Sequence, residues 1–361
     1  MDKKRFYITT PIYYPSAKLH IGHAYCTVLT DIFARYKRLR GFECYFLTGA
    51  DEHGQKIEKN AAAAGKTPQQ FVDEIVEGFH KLWKLLDISN DDFIRTTQDR
   101  HVKVVQDIFT KMYNKGDIYL GKYQGWLMMK DSKMSKSKGN VVDPYPLVEH
   151  FGLDAVRYYL AREIIFGQDG SFSPEQFVER VNSDLANSLG NLLNRTVSMI
   201  NKYFGGVIPA YKGCVTAFDG NLESVAKETV KQYEFLMDDL RITEAISMVN
   251  ELVNRANKYI DETTPWALAK DESKQEELAS VMNHLANSIY IAGMLLKPVL
   301  TSASDKLFAQ LGVTGDLLKY ENVYNFGCIE NLTVNKGEQL FPRLDAAVEV
   351  EFIQNLMSGN K

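Results

Sequence analysis

The first 120 residues alternate between two hydrophobic rhythms. RFYITTPIYY, ECYFLTGADEH and DDFIRTT are short β-branched and aromatic runs closed by polar residues, and they read as strands. Between them apolar positions recur at helical spacing, from about Ile21 to Arg40 and again through KLWKLLDIS. Strands alternating with helices predict a parallel, doubly wound sheet, which binds ligands at the carboxyl ends of its strands. TPIYY and TGADEH both fall at that edge.

After residue 144 the rhythm becomes helical throughout. Apolar residues keep helical spacing over roughly 174–204, 222–240, 241–262 and 276–297, and strand signals almost vanish. Ser173 and Pro174 have the form of an N-cap and first helical residue, and Gly205-Gly206 that of a helix stop. DETTPWALAK separates two further helices, so this half reads as a helical bundle with short connections. The closing QNLMSGNK reads as a frayed tail.

Composition adds exclusions. The chain has 361 residues, 45% hydrophobic and 24% charged, and a net charge of −4, so any polyanion must be met by local basic patches. Cys26, Cys44, Cys214 and Cys328 form no C-x-x-C pair, which predicts neither a disulfide framework nor a zinc knuckle. The N-terminal MDKKRFYITTP enters a strand without a signal-peptide core. No apolar run approaches the roughly 18 residues of a membrane span. The nearest, IYIAGMLLKPVL, is broken by Lys297 and Pro298. The expectation is a reduced, cytoplasmic protein with no membrane partner and no metal.

Two stretches carry recognisable chemistry. In SAKLHIGHAY, His20, Gly22 and His23 open the first helix. Its unpaired N–H groups and dipole suit a phosphate, glycine allows close approach, and two imidazoles can donate to phosphate oxygens. The same residues could also simply start the helix. In KMSKSKGN, Lys133, Lys136 and Lys138 sit in a serine-rich loop able to close over a triphosphate, or to be a solvated turn. Further on, Asn187, Asn191 and Arg195 recur every four residues opposite Leu185, Leu189, Leu192 and Thr196. Amides and a guanidinium on one exposed stripe suit splayed single-stranded bases, and Pro265-Trp266 could offer a stacking platform. A solvated helix face and a packed tryptophan remain the plain alternative.

A histidine pair on the first helix of a nucleotide-binding sheet, followed by a lysine loop, resembles the HIGH and KMSKS signatures of class I aminoacyl-tRNA synthetases. FYITTPIYYPSAKLHIGHAY, FLTGADEHGQKIEKNA, KMSKSKGNVVDPYPLVEHFGLDAVRYYLARE, SFSPEQFVERVNSDLANSLGNLLNRTVSMI and TTPWALAK narrow this to the bacterial methionyl-tRNA synthetase family. The resemblance implies methionine–tRNA ligase activity: methionine and ATP, the latter with Mg²⁺, give methionyl-adenylate, and tRNA(Met) takes the acyl group. It implies His20, Gly22, His23 and Lys136 at the ATP phosphates, with Lys133 as a second mobile lysine. Ile12, Tyr13 and Tyr14 would form one wall of the methionine pocket, and Asp51 would hold the substrate ammonium. For Asp51, capping the helix before GQKIEKN is the alternative, a role Glu52 could also fill. Asn187, Asn191, Arg195, Pro265 and Trp266 would read the anticodon.

The sequence also departs from the family. GKYQGW at 121–126 runs directly into LMMKDSKMSKS, where the family places a zinc-bearing insert and the second half of its catalytic sheet. The fold expected is therefore α/β plus all-α. A truncated Rossmann-like half-domain (1–126) precedes the KMSKS loop and connecting helices (127–172). A helical anticodon-binding domain (173–345) and a tail (346–361) follow. One hydrophobic flank of the half-sheet should be exposed or repacked. The zinc knuckle and the dimerising appendage of some relatives are not found in this sequence, so no zinc and a monomer are expected. Two further readings stand beside ligation: an anticodon-binding remnant impaired in charging, and a minimal nucleotidyltransferase using only the HIGH half.

Overall fold

A computed structural model describes residues 4–16, 18–121, 142–168 and 170–358. The chain divides into two compact units. One comprises Arg5–Ala34, Glu43–Pro146 and Asn355–Lys361, and the other Met1–Lys4, Arg35–Phe42 and Leu147–Gln354.

The first unit is built on a parallel sheet of β1 (Arg5–Thr9), β2 (Glu43–Ala50) and β3 (Asp92–Arg95), in that order. Arg5 pairs with Glu43 and Thr9 with Leu47, while Leu47 pairs with Asp92 and Ala50 with Arg95. Helices α1 (Ile21–Leu39), α2 (Gln55–Ala63) and α3 (Pro68–Leu85) connect the strands. Thr67 and Gln70 form a reciprocal capping box ahead of Pro68, which fixes where α3 starts. The core gathers Val28, Ile32 and Phe33 of α1, Phe46 of β2, and Val72, Val76, Phe79, Leu82 and Trp83 of α3.

The alternating pattern predicted a doubly wound sheet, but among the described residues one face is left open. Tyr7 and Tyr45 are register partners on one face, stack at 6.0 Å and stay exposed. α4 (Asp99–Lys115) buries none of its side chains. Its Val105, Ile108, Phe109 and Met112 recur at i, i+3, i+4 and i+7 and are 42–55% exposed. That spacing is the core-facing stripe of an amphipathic helix, so the exposed flank expected from the sequence lies here.

The second unit is helical. α5 (Pro144–Phe151) and α6 (Leu153–Glu163) lead to α7 (Pro174–Arg180), which Ser173 caps through its side chain. The helix continues as a wider segment, Val181–Gly190, and then as α8 (Asn191–Phe204), ending on left-handed Gly205. After α9 (Asp219–Asp238), α10 (Ile242–Thr263) and the short α11 (Pro265–Leu268) comes α12 (Gln275–Leu296).

α12 is buried on every side from Ser280 to Leu296. This explains IYIAGMLLKPVL: an all-round apolar helix of this length is the centre of a bundle. Among the described residues no helix is long and apolar enough to cross a membrane. Arg157 donates to the carbonyls of Pro298 and Val299 at 2.9 and 3.0 Å, occupying acceptors just beyond the end of α12.

α13 (Thr301–Leu311) follows, and α14 (Ala346–Ser358) replaces much of the tail expected over 346–361. Phe352 stacks on His150 at 4.1 Å, Glu349 lies 2.7 Å from His150 Nε2, and Ile353 is buried. The periodic AAVEVEFI was short, but it has this partner to pack on.

Candidate functional site

Backbone pairing continues past β1. Tyr13 donates to the Gly49 carbonyl at 2.9 Å, and Asp51 donates back to the Tyr13 carbonyl at 2.9 Å. A Cβ on Gly49 would lie 2.2 Å from the Ile94 carbonyl, so glycine is what lets β3 approach there. The segment 12–14 and Asp51 are thereby held at the carboxyl end of the sheet, as expected. Ile12 is exposed and Tyr14 half-buried. Tyr13 instead turns inward: its hydroxyl is 2.7 Å from Thr27 Oγ1, and its ring meets Trp83 and His23 edge-on at 5.5 and 5.4 Å. Burial raises the Tyr13 phenol well above its usual range, so it stays protonated.

His20 and His23 lie with ring centroids 4.0 Å apart at the start of α1. The His20 N–H donates to His23 Nδ1 and the Gly22 N–H to His20 Nδ1, both at 3.1 Å. With both Nδ1 atoms accepting, each neutral ring carries its proton on Nε2, making that nitrogen a donor. Burial, reinforced by His20, lowers the His23 pKa to about 4, so His23 is neutral near pH 7. Two Nε2–H donors at the positive end of α1 suit phosphate oxygens, while the Ile21 and Gly22 N–H groups are themselves taken by the Val142 carbonyl and His20 Nδ1. Tyr13 links the pair to Asp51, touching His23 with its ring and Asp51 with its carbonyl.

Asp51 does not cap α2. The N-cap is Gly54, at φ 134° and without a side-chain cap, and Asp51 has no side-chain hydrogen bond among the described residues. Glu52 does not cap it either. Its buried carboxylate takes the Arg95 Nε–H at 2.5 Å and the Thr97 hydroxyl, and its own N–H donates to Thr96 Oγ1 at 2.8 Å. Arg95 reaches on to Asp73. This clamp between the ends of β2 and β3 was missed in the sequence, because nothing local marks Glu52 and Arg95 as partners. A cleft of about 340 Å³ opens beside it, lined by residues including Glu52, Gly54, Gln69 and Thr97. Of the residues named from the sequence it includes only Glu52, and none of those expected to bind ATP or methionine. Lys133 and Lys136 lie outside the described residues.

In the helical unit Asn187 and Asn191 are exposed and Arg195 half-buried, while Leu185, Leu189, Leu192 and Thr196 are buried. Arg195 lies 3.5 Å from Asp261. Pro265 starts α11 and is buried, leaving Trp266 45% exposed. Arg195 and Trp266 face one groove of about 270 Å³ with Asn194, Ser198 and Met199. A second groove, of about 480 Å³, shares Asn194 and Ser198 and extends to Lys202 and Lys336. Asn187 and Asn191 lie along the helix outside both. Asn194, Ser198, Lys202 and Lys336 were not anticipated, the two lysines being too far apart in sequence to form a charge run.

The family model described as class I tRNA synthetases (M) matches residues 6–126 and 122–197, and that of the anticodon binding domain of methionyl tRNA ligase matches 209–342. This chain belongs to the methionyl-tRNA synthetase family. The methionine–tRNA ligase of Halalkalibacterium halodurans is 40% identical, over 100% of this chain and 81% of that protein. The Bacillus subtilis enzyme is 39% identical, over 99% and 81%. A Mycobacterium tuberculosis methionyl-tRNA synthetase solved with methionyl-adenylate superposes with a TM-score of 0.88 at 25% identity, covering 94% of this chain and 100% of that one. The two stretches of the synthetase match overlap at 122–126, within GKYQGW. The alignment to the H. halodurans enzyme runs over 537 residues against 361 here, so 176 of its positions have no counterpart in this chain.

Proposed function

We propose that this chain is a methionine–tRNA ligase by descent, whose first catalytic half prepares methionyl-adenylate chemistry and whose helical unit binds the anticodon of tRNA(Met). The observation that carries the catalytic reading is the histidine pair itself, its rings 4.0 Å apart at the start of α1 and both Nδ1 atoms held by backbone N–H groups, which fixes the orientation of both imidazoles. The methionine carboxylate attacks the α-phosphate of ATP, which enters as its Mg²⁺ complex, and pyrophosphate leaves. His20 and His23 stabilise the charge that builds on the phosphates, Gly22 gives room for their approach, and Asp51 pairs with the methionine ammonium. Ile12 and Tyr14 line the substrate side of the strand end, and Tyr13 supports His23 from behind. Lys133 and Lys136 would neutralise the triphosphate. The terminal hydroxyl of the tRNA then attacks the acyl carbonyl and releases AMP.

A second reading is favoured by α4 together with the overlapping match at 122–126: the chain binds tRNA but activates methionine poorly. The apolar stripe of α4 has the form of a surface meant to be covered, and the relatives carry extra residues at the seam. The four cysteines are dispersed, so no cysteine knuckle of the family's kind can form. In the helical unit, Arg195, Trp266 and the asparagines would take splayed bases, while Lys202 and Lys336 would meet phosphates.

Methionine-dependent ATP–pyrophosphate exchange tests the catalytic half. The expectation is weak exchange that His20→Ala or Asp51→Ala removes; exchange near that of an intact relative would overturn the impaired reading. Binding of an RNA hairpin bearing the methionine anticodon tests the helical half. Trp266→Ala should weaken it by about 1–3 kcal/mol, and equal affinity for a scrambled anticodon would defeat the recognition claimed.

A further inference from the structure

We propose that Cys214, Glu223 and His284 form a binding site for one divalent transition metal of the zinc type, within the helical unit. The ligand atoms of the three residues lie within 4.8 Å of one another. Glu223 Oε1 is 3.2 Å from His284 Nε2 and 3.5 Å from Cys214 Sγ. Tetrahedral coordination with bonds of about 2.0–2.3 Å gives ligand–ligand edges of roughly 3.3–3.6 Å, so both separations are close to those of a first coordination sphere.

The surroundings of His284 point the same way. Its Nδ1 is 2.8 Å from the Ser280 carbonyl, which can only accept, so Nδ1 carries the proton. In a neutral ring Nε2 then directs a lone pair at a carboxylate oxygen, with His284 fully buried. Two acceptors meeting this way require a positive charge between them: a second proton on the ring, or a metal ion. A ligating histidine whose other nitrogen donates to a backbone carbonyl is the usual outer arrangement of a metal site. Glu223 is also held as a carboxylate by the Tyr211 hydroxyl at 2.5 Å and Lys227 Nζ at 3.1 Å. Asp219 braces the next layer, accepting from Ser280 Oγ at 2.7 Å and from the Tyr259 hydroxyl at 2.6 Å.

Cys214 closes the triangle from outside. It lies on the segment before α9 and is exposed, which gives an ion a way in. Thiolate, imidazole and carboxylate together select zinc or cobalt over magnesium or calcium. A water molecule would complete four ligands, with the Tyr211 hydroxyl still donating to Glu223. On binding, the Cys214 thiol releases its proton to solvent, so affinity falls as the pH is lowered. No local motif marks this trio, since Cys214 and Glu223 are 9 residues apart and Glu223 and His284 are 61 apart.

The test uses the whole chain, stripped with a chelator and titrated with Co²⁺. One equivalent should bind with thiolate-to-cobalt charge-transfer absorption, and Zn²⁺ should displace it and raise the melting temperature. Cys214→Ser, at an exposed position, should keep the circular dichroism of the parent and lose the charge-transfer band. Glu223→Gln should weaken Co²⁺ binding by at least about tenfold. Absence of the band in the parent chain would overturn the proposal and leave an imidazolium–carboxylate pair. Persistence of the band in Cys214→Ser would also overturn it, placing cobalt on another cysteine.

Discussion

Arg95→Met should be among the more damaging single substitutions in the sheet unit, though Arg95 is partly exposed. The Glu52 side chain is fully buried and, among the described residues, Arg95 is its cationic partner, at 2.5 Å. Removing Arg95 leaves the carboxylate with the Thr97 hydroxyl and no counter-charge. Breaking a buried pair this way costs about 3–5 kcal/mol. Arg95 is 21% exposed, so water can reach part of the vacated space, and the lower end, about 3 kcal/mol, applies. At roughly 2–4 °C per kcal/mol this lowers the melting temperature by about 6–12 °C. The double variant Glu52→Gln/Arg95→Met should recover most of the loss, because a neutral amide needs no cation. Asp73→Ala removes only the half-exposed partner of Arg95 and should cost less than about 1 kcal/mol. Urea and thermal unfolding followed by circular dichroism read the parent, these three variants and Glu52→Gln alone. If Arg95→Met costs under about 1 kcal/mol, or the double variant shows the sum of the single losses, Glu52 is not held as described.

Other expectations follow from single contacts. The pKa of His23 falls from its ordinary 6.5 to about 4 on folding. The unfolded chain therefore takes up that proton first as pH drops. The stability contributed by keeping His23 neutral is full above about pH 6.5 and lost as pH falls toward 4. Unfolding midpoints of the parent should drop more steeply over that range than those of His23→Gln, and parallel curves would refute the assignment. Tyr13→Phe deletes the bond to Thr27 and should cost about 0.5–1.5 kcal/mol, measured by urea unfolding, since Thr27 keeps its bond to the His23 carbonyl at 2.9 Å. Ile108→Lys with Phe109→Glu should change stability by no more than about 0.5 kcal/mol per site while reducing self-association in sedimentation. A large loss of stability would mean that the α4 face is already covered.

Local patterns carried the strands, most helix ends and the family. Ser173-Pro174 and Gly205 act as the start and stop signals they resemble, because capping is decided within a few residues. Long-range pairings were not legible. Glu52 reads as a helix cap until β3 brings Arg95 beside it, 43 residues away. AAVEVEFI reads as a tail until His150 offers Phe352 a ring to stack on, 202 residues earlier in the chain. Tyr13 was grouped with Ile12 and Tyr14 as a pocket wall, but strand alternation turns its side chain inward, where it supports His23. The stripe of Asn187, Asn191 and Arg195 was legible as a polar face. Its groove was not, because it forms only where α11 sets Trp266 beside Arg195.

The two halves of the molecule therefore bear differently on function. The helical unit surrounds a central helix buried on every side, and its groove is formed entirely by its own residues. The sheet unit orders its histidine pair and Asp51 through contacts made within itself, yet leaves Tyr7, Tyr45 and the stripe of α4 uncovered. A site can keep its donors in place while lacking the walls that exclude water and hold substrate, and catalysis by positioning then loses most of its strength. Hairpin binding and pyrophosphate exchange separate these contributions. Strong, anticodon-dependent binding together with feeble exchange is the outcome expected if the proposed impaired reading holds. Robust exchange would require that α4 and the open face of the sheet be covered in solution by a surface supplied from elsewhere.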